Sequence, residues 1–189
     1  HRLAILSISV LSLSVNADDW PQWRGPTRDG WWRETGVISR FSGPQLPAVW
    51  RVPIGNGYTS PTVCAGLVYV SDRVPPPAEK ERVLCFDARS GEPKWRHEYA
   101  CVYRRVGYPA GPRAAITVHD GRAYALGTMG HMHCYDARTG SVLWQHDLHT
   151  EYRTRIPTWG ISAAPLVEGD LVILQIGGRP DACLVALNR

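Results

Sequence analysis

Short apolar runs punctuated by turn residues recur along the chain, and no helical period fits them. Val83-Leu84-Cys85-Phe86, Met132-His133-Cys134-Tyr135 and Leu184-Val185-Ala186-Leu187 align, and both alternating faces of these runs are largely apolar. Runs of this kind predict strands buried on both sides. Asp87 and Asp136 follow the first two runs, where a carboxylate can accept hydrogen bonds from amides two or three residues on. Gly91 and Gly140 can then take the left-handed conformation that closes a hairpin. Trp95 and Trp144 fall at the same point of the returning strand, each a large rigid surface for packing between sheets. Ahead of each hairpin lie two more short strands around a tight turn. They are Pro61–Val63 and Leu67–Val70 around Cys64-Ala65-Gly66, Ile116–Val118 and Arg122–Ala125 around His119-Asp120-Gly121, and Pro165–Val167 and Leu171–Leu174 around Glu168-Gly169-Asp170.

The hairpin segment is a repeat. Cys85–Trp95 (CFDARSGEPKW) and Cys134–Trp144 (CYDARTGSVLW) lie 49 residues apart and are identical at six positions. A third copy opens at Ala186-Leu187-Asn188. Because Trp144 follows Asp136 by eight residues, a Thr/Ser-Gly turn and a Trp are expected at the same distance beyond Asn188. A period near fifty residues with four short strands is the mark of a propeller blade. The expected fold is therefore all-β, a partial propeller with blades at about 58–99, 112–148 and 161–189. The first two would be complete four-stranded blades and the third most of one. Trp50-Arg51-Val52 aligns with Trp95 and Trp144 but lacks a hairpin before it, which predicts a lone N-terminal strand that closes the ring and hides two edges. The prolines at 75–77 predict an unpaired insertion spanning Asp72–Glu81.

The motif Asp87…Gly91…Trp95 and Asp136…Gly140…Trp144, with Trp50, resembles the tryptophan-docking motif of the pyrroloquinoline-quinone (PQQ) propellers and their non-enzymatic, BamB-like relatives. Cys85 and Cys134 replace its usual Ala, and Ser90 replaces a Thr. The resemblance covers roughly residues 50 to 189 and is specific for the blade, not for the cofactor. It implies one of two functions. One is an exported non-catalytic scaffold that binds a protein or polymer. The other is a PQQ- and Ca²⁺-dependent dehydrogenase of alcohols or sugars, with both groups held in the ring funnel. No two cysteines are adjacent, so the vicinal disulfide that touches the quinone in related dehydrogenases has no counterpart. This favours the scaffold, for which no cofactor is expected and no catalytic, cofactor or metal residue is assigned.

Residues 1–17 read as an export signal, with Arg2, an apolar Leu3–Val15 and a small-residue cleavage site at Val15-Asn16-Ala17. That implies a periplasmic or secreted protein. This apolar run with interspersed Ser is thirteen residues long, too few to span a bilayer, so no transmembrane segment is expected after cleavage. Residues 18–48, rich in Trp, Gly and Pro, predict an irregular arm clamped by its tryptophans against the propeller side. The net charge of +4 is too mild to imply nucleic acid.

The five cysteines are an odd number, so at least one is free or paired elsewhere. Cys85 and Cys134 sit on neighbouring blades, about 10 Å apart and beyond a disulfide's reach of roughly 7 Å. In His131-Met132-His133-Cys134, residues 131 and 133 share a strand face and 134 points away, which argues against one converging metal site. The connections at 55–60, 100–113 and 149–160 should share one face of the ring. They gather Tyr103, Arg104, Arg105, Tyr108, Arg113, Arg153, Arg155 and Trp159 against one acid, Glu151. These are the candidate partner-binding residues, since loops on a rigid scaffold commonly carry function.

Overall fold

The computed structural model describes residues 18–189, so the export signal expected at 1–17 lies outside the described residues. The repeats form three antiparallel meanders. The first sheet joins β1 (Thr62–Cys64), β2 (Leu67–Val74), β3 (Lys80–Asp87) and β4 (Pro93–Ala100) in that order. The second joins β5 (Thr117–His119), β6 (Arg122–Leu126), β7 (His131–Asp136) and β8 (Val142–Asp147), and a single helical turn, α1 (Leu148–Glu151), follows it. The third joins β9 (Leu166–Glu168), β10 (Leu171–Gln175) and β11 (Leu184–Asn188). This is an all-β partial propeller.

The local chemistry repeats between blades. Ala65-Gly66 and Asp120-Gly121 close the first hairpins with positive φ at both central residues, the twist that suits a two-residue connection. In the hairpin after the third strand, Asp87 Oδ1 accepts from the Arg89 and Ser90 amides, at 3.0 Å each. Asp136 Oδ1 accepts from Arg138 and Thr139 at 3.0 and 2.8 Å. These amide hydrogen bonds hold both carboxyls below their ordinary range.

The following blade supplies the docking surface for Trp50 and Trp95. Trp95 Nε1 donates to the Ala137 carbonyl at 2.9 Å, and its ring lies so close over Gly140 that a Cβ there would come within 2.5 Å of it. Trp50 does the same one blade earlier, donating to the Ala88 carbonyl at 3.0 Å with its ring 2.8 Å from a Cβ placed on Gly91. Trp50 docks without belonging to a strand, since residues 50–55 join no ladder among the described residues. Tyr69 adds a second donor to the same Ala137 carbonyl, at 3.1 Å. Between the first two sheets, Tyr69, Val83 and Cys85 bury against Ile116, Ala123, Ala125 and Tyr135. Between the second and third, Tyr124, Met132, Cys134 and Leu148 bury against Val167, Val172, Leu174 and Ile176. On the inner edge, Thr62 Oγ1 donates to the Ile116 carbonyl at 2.6 Å and Thr117 Oγ1 to Pro165 at 2.5 Å.

Two expectations are corrected. The ladder between β2 and β3 runs on through Asp72↔Arg82, Arg73↔Glu81 and Val74↔Lys80, so the insertion shrinks to residues 75–79. The prolines sit in the connection itself, where no ladder amide is missed. The arm at 18–48 is irregular, but it does not lie on the side of the propeller. Trp20 exchanges backbone hydrogen bonds with Val63 at 2.8 and 3.1 Å, the Pro21 carbonyl accepts from the Val118 amide, and Arg28 donates to the Val167 carbonyl at 2.6 Å. The arm thus crosses the inner strands of all three blades in turn, because those short strands leave backbone groups free on the axial edge. Trp20 packs over Gly25, while Trp23, Trp31 and Trp32 are exposed and clamp nothing.

Trp95→Ala should lower the stability of the full chain by about 3 kcal/mol, the scale for a large aromatic lost from packing. Trp23→Ala should stay within about 0.5 kcal/mol, as at exposed positions. Urea unfolding of the two variants checks this, and equal midpoints would show that docking contributes nothing particular.

Candidate partner-binding site

In an antiparallel meander the connection between the second and third strands opens at the same end as the connection between blades. One face therefore carries the loops 101–116, 148–165 and 176–183 together with the short turns 75–79 and 127–130. The loop from Cys101 to Arg113 is held from within. The Arg113 guanidinium donates to the Gly111, Gly107 and Tyr108 carbonyls at 2.6 to 2.8 Å and lies 5.1 Å from the Tyr58 ring centroid. The buried Arg73 guanidinium donates to the Pro109 carbonyl and stacks 3.9 Å over the Tyr103 ring. Tyr103 in turn donates to Glu81 and meets Thr128 Oγ1 at 2.6 Å. Arg113 and Tyr103 are committed to holding the loop, so neither presents a free polar group to a partner. Sequence alone cannot show this, because an arginine that caps carbonyls of its own loop reads like any loop arginine.

Glu81 is the centre of that support. It is 1 % exposed, and its carboxylate accepts from Tyr99 at 2.6 Å, from Tyr103 and from the Thr128 amide at 3.2 Å. Burial, with the Glu81 charge second, pushes both phenols above their ordinary range. The network joins β3 of the first blade to the β6–β7 turn of the second, and so fixes the loop over the joint between them.

Four other exposed arginines of this face converge. Arg104, Arg105, Arg155 and Arg179 line one cleft with Met129, His149, Ile156, Pro157, Thr158 and Gly177, and no carboxylate lines it. None of the four is in an ion pair among the described residues. Arg179 was not among the sequence candidates, although the meander places its β10–β11 loop at the same end. Its amide donates to the Tyr152 carbonyl at 2.8 Å and seats that loop beside the others. Tyr108 and Trp159 stack at 5.1 Å with 20° between their planes. Arg153 is exposed, has a positive φ and does not line the cleft.

A second cleft lies near the inner strands, lined by Gln22, Trp23, Arg24, Arg28, Tyr58, Arg113 and the segment 162–166. Its charged side chains are all guanidinium groups, so the donor set does not fit a calcium ion, and no chemical step is derived through one. No group of His, Cys, Asp or Glu among the described residues is placed to hold a metal. His131 and His133 do share a face, looking toward His97 and Tyr99 of the first blade. The five cysteines are all free.

His133 is 4 % exposed, its Nδ1 has no hydrogen-bond partner, and its ring lies 4.5 Å from Tyr99, 5.3 Å from His97 and 5.6 Å from Tyr135. Burial first, then His97 and His131, lowers its pKa from 6.5 to about 4, partly offset by Gln145. The unfolded chain therefore binds this proton more readily than the folded one. The stability His133 contributes is present above pH 6.5 and is lost as pH falls toward 4. His133→Phe should flatten the fall in urea midpoint between pH 7 and pH 5, and an unchanged slope would remove His133 as its source.

The comparisons with known proteins come to this architecture independently. No curated protein sequence matches the chain. A europium-containing methanol dehydrogenase superposes with a TM-score of 0.50 at 21% identity, over 71% of this chain and 23% of its own. The quinohemoprotein alcohol dehydrogenase ADHIIG from Pseudomonas putida HK5 gives 0.52 at 22% identity, over 74% of this chain and 20% of its own. The BamB structure from Moraxella catarrhalis gives 0.47 at 17% identity, over 74% of this chain and 36% of its own. The chain thus spans between a fifth and just over a third of the length of these structures, and the likeness to the two dehydrogenases is one of fold. The family model described as outer membrane protein assembly factor BamB matches residues 79–189, more than half of the chain. The chain belongs to that family of PQQ-like propellers.

Proposed function

We propose that the chain is part of an exported, non-catalytic propeller that binds a partner protein or polymer on its loop face. In this reading 1–17 is the export signal, 18–48 an arm and 49–189 the propeller, working in the periplasm or outside the cell. The observation that carries the proposal is the cleft in which Arg104, Arg105, Arg155 and Arg179 converge with no acidic residue in its lining. Among the described residues no helix is long and apolar enough to cross a membrane. The rigid support beneath the cleft, from Glu81, Arg73 and Arg113, suits recognition without rearrangement, since a preformed surface loses little freedom on binding.

The test is capture of native periplasmic material by the immobilised full chain. The triple variant Arg104→Ala/Arg105→Ala/Arg155→Ala should lose the captured partner while keeping the parent's urea midpoint to within roughly 0.5 kcal/mol per site. Added salt should weaken capture by the parent, because exposed charges are screened beyond about 8 Å at physiological ionic strength. Recovery of the same partners by both proteins would sink the proposal. Stoichiometric uptake of PQQ with Ca²⁺, followed by dye reduction with an alcohol or sugar, would replace it with the dehydrogenase reading.

A further inference from the structure

We infer that the loop-face cleft takes an acidic polysaccharide, with guanidinium groups pairing its anionic substituents and Trp159 offering a stacking face for a sugar ring. The inference rests on the loop face being the binding surface and names what that surface binds.

Two features lie side by side. The first is the cleft of Arg104, Arg105, Arg155 and Arg179, lined beyond them by Ile156, Pro157 and Met129. Planar guanidinium forks match carboxylate and sulfate oxygens two at a time, and unpaired arginines face little competition from internal acids. The second is an adjoining cleft that shares Arg155, Pro157 and Gly177 with the first and adds Trp159. Trp159 and Tyr108 are 56% and 68% exposed although they stack on each other. Stacked on each other beside a charged cleft, the two rings leave a broad apolar face open to a ligand.

Their placement is fixed. A Cβ on Gly107 would come within 3.0 Å of the Trp159 ring, and the Gly107 amide donates to the Thr158 carbonyl at 2.5 Å, so the loops bearing Tyr108 and Trp159 are tied at the point where the rings meet. Arg105 and Tyr108 both hold positive φ, at 55° and 47°. Non-glycine residues persist in that region only where their surroundings impose it.

An acidic polypeptide would also pair with the arginines, but its carboxylate side chains bring no flat C–H face to lie on the adjoining Trp159 ring. A chain of uronic or sulfated sugars presents acidic oxygens along its edge and C–H faces to its sides. That is the complement of a guanidinium row beside an aromatic platform.

Titration calorimetry of the full chain with a polygalacturonate, a sulfated galactan, a neutral galactan and poly-L-glutamate tests the inference. At least one acidic glycan should bind and the neutral galactan should not; which acidic glycan binds more tightly identifies the anion. Trp159→Ala should weaken glycan binding about tenfold and leave any weak poly-L-glutamate binding unchanged. Arg105→Ala/Arg155→Ala should abolish both. These positions are exposed, so an unchanged urea midpoint separates lost binding from lost folding. Tighter binding of poly-L-glutamate that ignores Trp159→Ala would overturn the glycan and leave the loop face standing. Equal binding of the neutral galactan would overturn the charge argument. If no polymer binds and capture from the periplasm survives the arginine substitutions, the loop-face reading falls as well.

Discussion

The structure depends on an indole laid flat on a glycine of the neighbouring sheet, with its N–H given to a carbonyl in the same turn. Trp50 on Gly91 and Trp95 on Gly140 show the contact twice with the same donor, acceptor position and ring placement. It demands three things at once: a glycine where any side chain would collide, an aspartate whose carboxylate shapes the turn, and a strand register that delivers the tryptophan on time. Those demands account for the Asp, Gly and Trp among the six identities between the two copies. They also fix the blade-to-blade spacing, and with it the place where the connecting loops emerge.

The loop face inherits its rigidity from the joint between the first two blades. Glu81, buried without a direct cationic partner, is satisfied by two phenols and an amide, which bind the 100–113 loop to the turn of the next blade. Around it the arginines divide by job. Arg73 and Arg113 face inward and organise carbonyls, whereas Arg104, Arg105, Arg155 and Arg179 face water. A scaffold that spends its internal arginines on loop geometry can hold the outer ones at fixed positions while their side chains remain free to pair.

The repeat made the blades legible, because period, turn chemistry and tryptophan position all follow from the same local sequence. Side-chain commitments inside long loops were not legible. Arg113 and Arg105 look alike in sequence, and only the folded path of residues 107–111 shows that one caps carbonyls and the other does not. Arg179 lies in a hairpin loop within a blade, not in a connection between blades, and only the meander's geometry brings that loop to the same end. The prolines at 75–77 suggested a wider break than exists, since a connection can hold all three and leave the flanking ladder intact. The arm's path was hidden for another reason: the free backbone groups it pairs with belong to β1, β5 and β9, and no local pattern in residues 18–28 announces distant edges.

The first blade hands two hydrogen bonds forward to one carbonyl of the second. Tyr69 and Trp95, from the first blade, both end on the Ala137 carbonyl of the second, and their counterparts Tyr124 and Trp144 have a buried O–H and N–H without partners in the third. The dependence is directional: the donors of the first blade are satisfied by the turn of the blade that follows it along the chain. A ring built this way sets like a row of roof tiles, each course secured by the next one laid. As the chain emerges from its N-terminus, the Tyr69 and Trp95 donors of the first blade therefore find their acceptor only once the turn of the second blade has formed.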